Sequence, residues 1–148
     1  MIIPLKEETL TGTGAVSMRY YVVPSDKKPY LHFLVVRYAG KYPYGSAGNR
    51  DANYMHAMAT AAVVYFEPWG VIHDLLELEY EWGDALREVL SVGPEIQPAG
   101  IALVLGPKSE EAVRTLCLGI DSAKTIEAIP GAFRDLESAW QYVEEQIE

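Results

Sequence analysis

Apolar and polar positions fall along the chain in runs that change period, and each change predicts an element. Met18–Val23 is rich in Tyr and Val and predicts a strand. Pro24-Ser25-Asp26-Lys27-Lys28-Pro29 holds two prolines and predicts a turn. Leu31–Tyr38 carries apolar residues at both odd and even positions, the pattern of a central strand covered on both sides. These two strands predict an antiparallel hairpin. Ala39–Arg50 then reads as a long glycine-rich loop. In Asp51–Phe66, Ala52, Met55, Ala59, Ala62, Val63 and Phe66 share one helical face. Asn49 or Asp51 is placed to cap that helix, and Pro68 and Gly70 to end it.

Val71–Leu76 predicts the next strand. Trp82-Gly83-Asp84 predicts a turn, with Asp84 as the cap of a short helix that buries Leu86, Val89 and Leu90 until Gly93-Pro94. Ile101–Leu105 is a short, fully apolar run, as in a buried parallel strand. Ser109 is placed to cap a helix whose first turn holds Glu110 and Glu111, where the positive end of the helix dipole favours carboxylates. Thr125–Ile129 predicts a last strand. A final helix from Asp135 aligns Leu136, Ala139, Trp140, Val143 and Ile147. Residues 1–15 read as an irregular lead-in. The resulting order, β-β-α-β-α-β-α-β-α, implies a single α/β domain with a mainly parallel sheet.

A length of 148 residues suits that one domain. The net charge of −9 is unevenly spread: residues 1–66 carry +3 and residues 67–148 carry −12. So acidic a half would repel a phosphate backbone, which argues against sequence-independent nucleic-acid binding. The first residues, Met1-Ile2-Ile3-Pro4-Leu5-Lys6-Glu7-Glu8, do not follow the signal-peptide pattern, and apolar runs such as Ala57–Phe66 are too short to span a bilayer. The expectation is a cytoplasmic protein without a membrane role. Cys117 is the one cysteine, and its apolar surroundings predict a small core residue.

Candidate chemistry is sparse. His32, His56 and His73 fall in no metal-binding spacing, so no metal or other cofactor is expected. His73 and Asp74 are adjacent in a strand and must point to opposite faces, so they form no dyad. Glu77, Glu79, Glu81 and Asp84 make the densest acidic cluster. It reads as a solvated or partner-binding edge, with acid–base chemistry or a bound divalent cation as the sharper alternative. Gly45, Ser46, Gly48 and Arg50 form a second candidate, since backbone N–H groups before a helix with a nearby Arg suit an anion or small ligand. The plainer reading is a connector. Eight of the ten tyrosines lie in residues 1–66, and Tyr42 and Tyr44 are candidates for an aromatic contact surface.

The stretch Val71-Ile72-His73-Asp74-Leu75-Leu76-Glu77-Leu78-Glu79-Tyr80-Glu81-Trp82-Gly83-Asp84-Ala85-Leu86 resembles the STAS domain family, the fold of bacterial anti-sigma factor antagonists. Asp74-Leu75 is similar to that family's strand end, Leu78 and Tyr80 to its apolar segment, and Leu86 to the first buried helix residue. Ile101–Pro107 and Phe133–Trp140 resemble the next strand and the closing helix. The likeness spans about residues 70–148. It implies a regulatory module that works by protein contact, either with a partner or by self-association, through Glu81, Trp82, Gly83 and Asp84 together with Tyr42 and Tyr44. Where the family carries a phosphorylatable Ser or Thr, this chain has Gly83 and Asp84, so the usual switch is lacking. A looser likeness to the crotonase core fails on length and on the missing glycine-rich oxyanion segment.

Overall fold

The computed structural model describes residues 1–94 and 100–148. Five strands form one sheet in sequence order: β1 (Val16–Pro24), β2 (His32–Lys41), β3 (Gly70–Glu79), β4 (Ile101–Leu105) and β5 (Ala132–Phe133). β1 and β2 are an antiparallel hairpin, and β2 through β5 are parallel. Between them run α1 (Asn49–Phe66), α2 (Leu86–Leu90) and α3 (Glu110–Leu118), and α4 (Leu136–Glu145) closes the chain. The α/β class, the hairpin and the mainly parallel sheet agree with the sequence pattern.

Each parallel crossover steps one strand further in the same direction, which puts the connecting helices on one face. Ala52, Met55, Leu86, Val89, Val113 and Leu116 from α1, α2 and α3 accordingly pack on Leu34, Val36, Val71 and Leu105. The other face of the same strands presents Phe33, Val35, Ile72, Ala102 and Val104 to Ala139 and Val143 of α4. Phe33 meets Trp140 edge-on, with ring centroids 4.6 Å apart. This double coverage explains why β2 is apolar at both odd and even positions.

Several boundaries move. Ala39–Lys41 belong to β2, and Gly45–Gly48 form a 3-10 turn that runs into α1, so the expected long loop shrinks to a few residues. Neither Asn49 nor Asp51 caps α1. Its cap position is Gly48, and the fully buried Asp51 instead accepts the Thr13 amide at 3.0 Å and hydroxyl at 2.7 Å, tying the lead-in to the helix. α2 starts after Ala85 without a side-chain cap, so Asp84 does not cap it. Ser109 precedes α3, but its hydroxyl serves the Gly106 amide and the Leu75 carbonyl. Asp135 does cap α4, accepting from the Ser138 amide at 2.7 Å.

The predicted strand at 125–129 is a 3-10 turn, Ile126–Ala128, whose Ile126 plugs the core from a turn. The pairing strand is the two-residue β5, because the ladder to β4 starts only where Leu103 donates to the Gly131 carbonyl. A short apolar run followed by Pro130 fits either geometry, so periodicity does not separate them. Cys117 is exposed rather than core, since Val113 and Leu116 take the buried side of α3. Among the described residues no helix is long and apolar enough to cross a membrane.

Candidate functional site

The carboxyl ends of parallel strands are where α/β sheets hold ligands and partners, because the chain there leaves the sheet in loops. In this protein the exits of β2, β3 and β4 are knitted together. Tyr42 donates its amide to the Glu79 carbonyl at 2.8 Å, and Gly45 to the Trp82 carbonyl at 3.1 Å. Tyr80 donates its amide to the Lys108 carbonyl at 2.9 Å, and its hydroxyl closes the turn on the Gly83 carbonyl at 2.7 Å. Two sequence candidates far apart in the chain, the 42–48 segment and the 81–84 turn, thus form one surface.

A register shift prepares this surface. Arg37 pairs with Asp74 but Ala39 pairs with Glu77, so β3 carries an extra residue there. The bulge exposes Leu76 and Glu77 in succession and returns Leu78 and Tyr80 to the helix-covered core. β3 therefore runs on to Glu79, beyond the Leu76 limit of the sequence reading.

The tyrosines and glycines divide the work. Tyr42 is buried, with its ring edge-on to Tyr80 at 5.3 Å, and burial raises its phenol above the ordinary value. Its hydroxyl has no hydrogen-bond partner among the described residues. Tyr44 is exposed and leans on Trp82 at 5.3 Å, and Trp82 keeps 52% of its surface in solvent. A Cβ on Gly45 would stand 2.4 Å from the Trp82 ring, and one on Gly48 2.4 Å from the Tyr42 ring. Both glycines answer to these rings, and the Gly45 amide is spent on Trp82. Ser46 and Arg50 are exposed, and Arg50 makes no ion pair among the described residues.

A cleft of about 520 Å³ opens between the 79–84 turn and α3. Its lining carries the carboxylates of Glu79, Glu81, Asp84 and Glu111 together with Lys108. Glu111 is held by Arg114 at 2.6 Å, which lowers its carboxyl below the ordinary value. Apolar wall comes from Trp82, Pro107, Ala112, Leu116 and Ile120, and Ile120 is 80% exposed. Neither Arg50 nor His56 lines this cleft, so the carboxylates do not meet a basic partner from the α1 side. Among the described residues no three His, Cys, Asp or Glu side chains gather as a metal-binding group.

The sequence pattern does not point to Lys108, Glu111 or Ile120. The available signal was Gly106-Pro107-Lys108-Ser109, a breaker directly after an apolar parallel strand, where a site belongs. His73 is also more than a packed histidine: it is fully buried between Tyr38 and the Val92 carbonyl. Compared with known protein families and with curated proteins, the chain matches no family model and no curated protein.

Proposed function

We propose that the protein is a STAS-like regulatory module that works by protein contact, docking a basic partner segment with an apolar anchor in the cleft beside Trp82. The element order and the mainly parallel sheet support the STAS-like part of this reading. One observation carries the docking part. Trp82 stands half in solvent, fixed from behind by Gly45 and Tyr44, next to exposed Ile120 and inside a rim of Glu79, Glu81 and Asp84. A rigid, exposed aromatic anchor in a cleft where four carboxylates outnumber one lysine is the pattern of an interaction centre.

The test uses peptides of Lys and Arg around a central Leu or Phe, each carrying a fluorescent label whose anisotropy reports binding. Binding that weakens with salt, and is lost in Trp82→Ala and in Glu81→Lys/Asp84→Lys, supports the reading. Equal binding by wild type and both variants overturns it. A small cationic ligand is the second reading, favoured by a cleft volume within the range of ligand pockets. An anion at Gly45–Arg50 is less favoured, because the glycines there are taken up by the Trp82 and Tyr42 rings.

A further inference from the structure

β1 ends the sheet, and its free edge has a definite hydrogen-bonding pattern. Lys41 donates its amide to the Ala15 carbonyl and Ser25 donates to Leu31, so the odd-numbered residues of the strand turn their backbone groups toward β2. Val16, Met18, Tyr20 and Val22 therefore turn their N–H and C=O outward. Among the described residues nothing bonds those outward groups. The usual defences of an edge are sparse along the strand: one charge, and a proline only at its end. The register with β2 is unbroken from Val16 to Pro24, and proline comes only at the last position. In the nine residues VSMRYYVVP the single charge is Arg19. Tyr21, Val22 and Val23 are each more than a third exposed.

The sequence of this edge fits its own copy. Antiparallel pairing centred on Tyr20 sets Met18 against Val22 and Val16 against Pro24 of the second copy. Each Val16 N–H then meets a Pro24 carbonyl, so the donor that proline lacks is missed only at the last rung. The same register sets Arg19 against Tyr21, cation against aromatic face, a favourable cross-strand pair. Tyr21 already carries the Arg37 guanidinium 5.0 Å above its ring, and that charge is answered by Asp74. Sliding the axis to Arg19 would oppose two like charges, which selects against that alternative.

We propose that two copies of this chain pair antiparallel along β1, continuing one sheet across a two-fold axis at Tyr20. This contact uses none of the cleft residues, so it stands or falls separately from the docking function above.

The test is sedimentation velocity of the full chain at up to about 100 µM, the range in which a modest edge contact would register. Wild type is expected to show a concentration-dependent dimer. Tyr21→Lys, which opposes Lys to Arg19, should weaken it by about tenfold or more, because the pair occurs twice. Arg19→Glu combined with Tyr21→Lys should restore it. Val22→Pro removes an outward N–H without touching the β1–β2 ladder, and should also dissociate the dimer. If Val22→Pro loses its circular dichroism spectrum, the charge-reversal pair decides alone. A wild type that stays monomeric, a dimer that survives Tyr21→Lys, or a loss that the double variant does not rescue overturns the proposal.

Discussion

The Tyr38 hydroxyl donates to Nδ1 of His73 at 2.8 Å, across the neighbouring strands β2 and β3 in the middle of the sheet. Nε2 faces the Val92 carbonyl at 2.8 Å, and a carbonyl can only accept. That fixes the neutral tautomer with its proton on Nε2. Both side chains are fully buried, and burial keeps the phenol protonated and the imidazole uncharged. Desolvation lowers the His73 pKa to about 4, with the Val92 hydrogen bond opposing it.

This pair predicts a stability that depends on acid. The unfolded chain takes up the His73 proton near pH 6.5 and the folded chain only near pH 4. Across that window the unfolded state binds more protons, so stability is complete above about pH 6.5 and falls as the pH drops toward 4. The loss is on the order of 3 kcal/mol. Melting temperature against pH measures it. His73→Phe should be less stable at pH 7, because Tyr38 and Val92 lose a partner, yet show a shallower slope between pH 6.5 and 4. An unchanged slope would place the acid sensitivity elsewhere.

Arg37, a third exposed, and the buried Asp74 make a second side-chain link between these strands. Asp74 is fully buried and accepts from Arg37 Nε at 2.9 Å and from the Leu76 amide at 3.0 Å. Removing the cation leaves a buried carboxylate with one amide, which costs more than removing both charges. Arg37→Ala is expected to destabilise by about 2–4 kcal/mol. The Arg37→Met/Asp74→Asn double variant, which keeps an acceptor for the Leu76 amide, should recover a large part of that loss. Urea unfolding of the two variants tests this, and a double variant no more stable than Arg37→Ala would contradict it.

At the cleft, two glycines predict opposite kinds of damage. Gly45 lies at φ +61° with Trp82 where its Cβ would be, and Gly83 at φ +146° with the Tyr42 ring 2.9 Å from that point. Gly45→Ala should displace an exposed ring, changing Trp82 emission with a stability loss of about 1 kcal/mol. Gly83→Ala strains the backbone and presses on a buried ring, so about 2–3 kcal/mol is expected there. Equal losses for the two variants would mean that Tyr42 yields as easily as Trp82.

How much of this was legible in the sequence follows from what periodicity measures. β2 and α4 were readable because Phe33 and Val35, and Ala139 and Val143, repeat at the strand and helix periods toward one core. The end of β3 was not. Its bulge breaks the alternation after Leu75, and Glu77 and Glu79 look like loop although they still pair with β2. Tyr44 and Trp82 were each visible as aromatic residues beside breakers. Their meeting depends on β2 and β3 being parallel neighbours whose exits leave side by side. Ile120 and Lys108 joined them only through the crossover that follows β4, a long-range relation no local pattern encodes.

A buried carboxylate fastens α4 to the hairpin. Glu144 is buried in the last turn of α4, and its Oε1 accepts the Ser25 hydroxyl at 2.6 Å and the Lys27 amide at 2.7 Å. Ser25 is itself buried and its oxygen also takes the Lys28 amide at 3.2 Å. The β1–β2 turn is thus organised around one carboxylate from the far end of the chain. Glu144→Ala strands the Lys27 amide and the Ser25 hydroxyl together and should cost about 2–3 kcal/mol. Ser25→Ala leaves the Lys27 bond in place and should cost about 1 kcal/mol. Glu144→Gln keeps an acceptor for both donors and should lie between them. Amide hydrogen exchange gives the local readout: in Glu144→Ala, Lys27 and Lys28 should exchange faster while Leu103 on β4 is unchanged. Uniformly faster exchange across the sheet would show instead that the carboxylate supports the whole fold rather than this one turn.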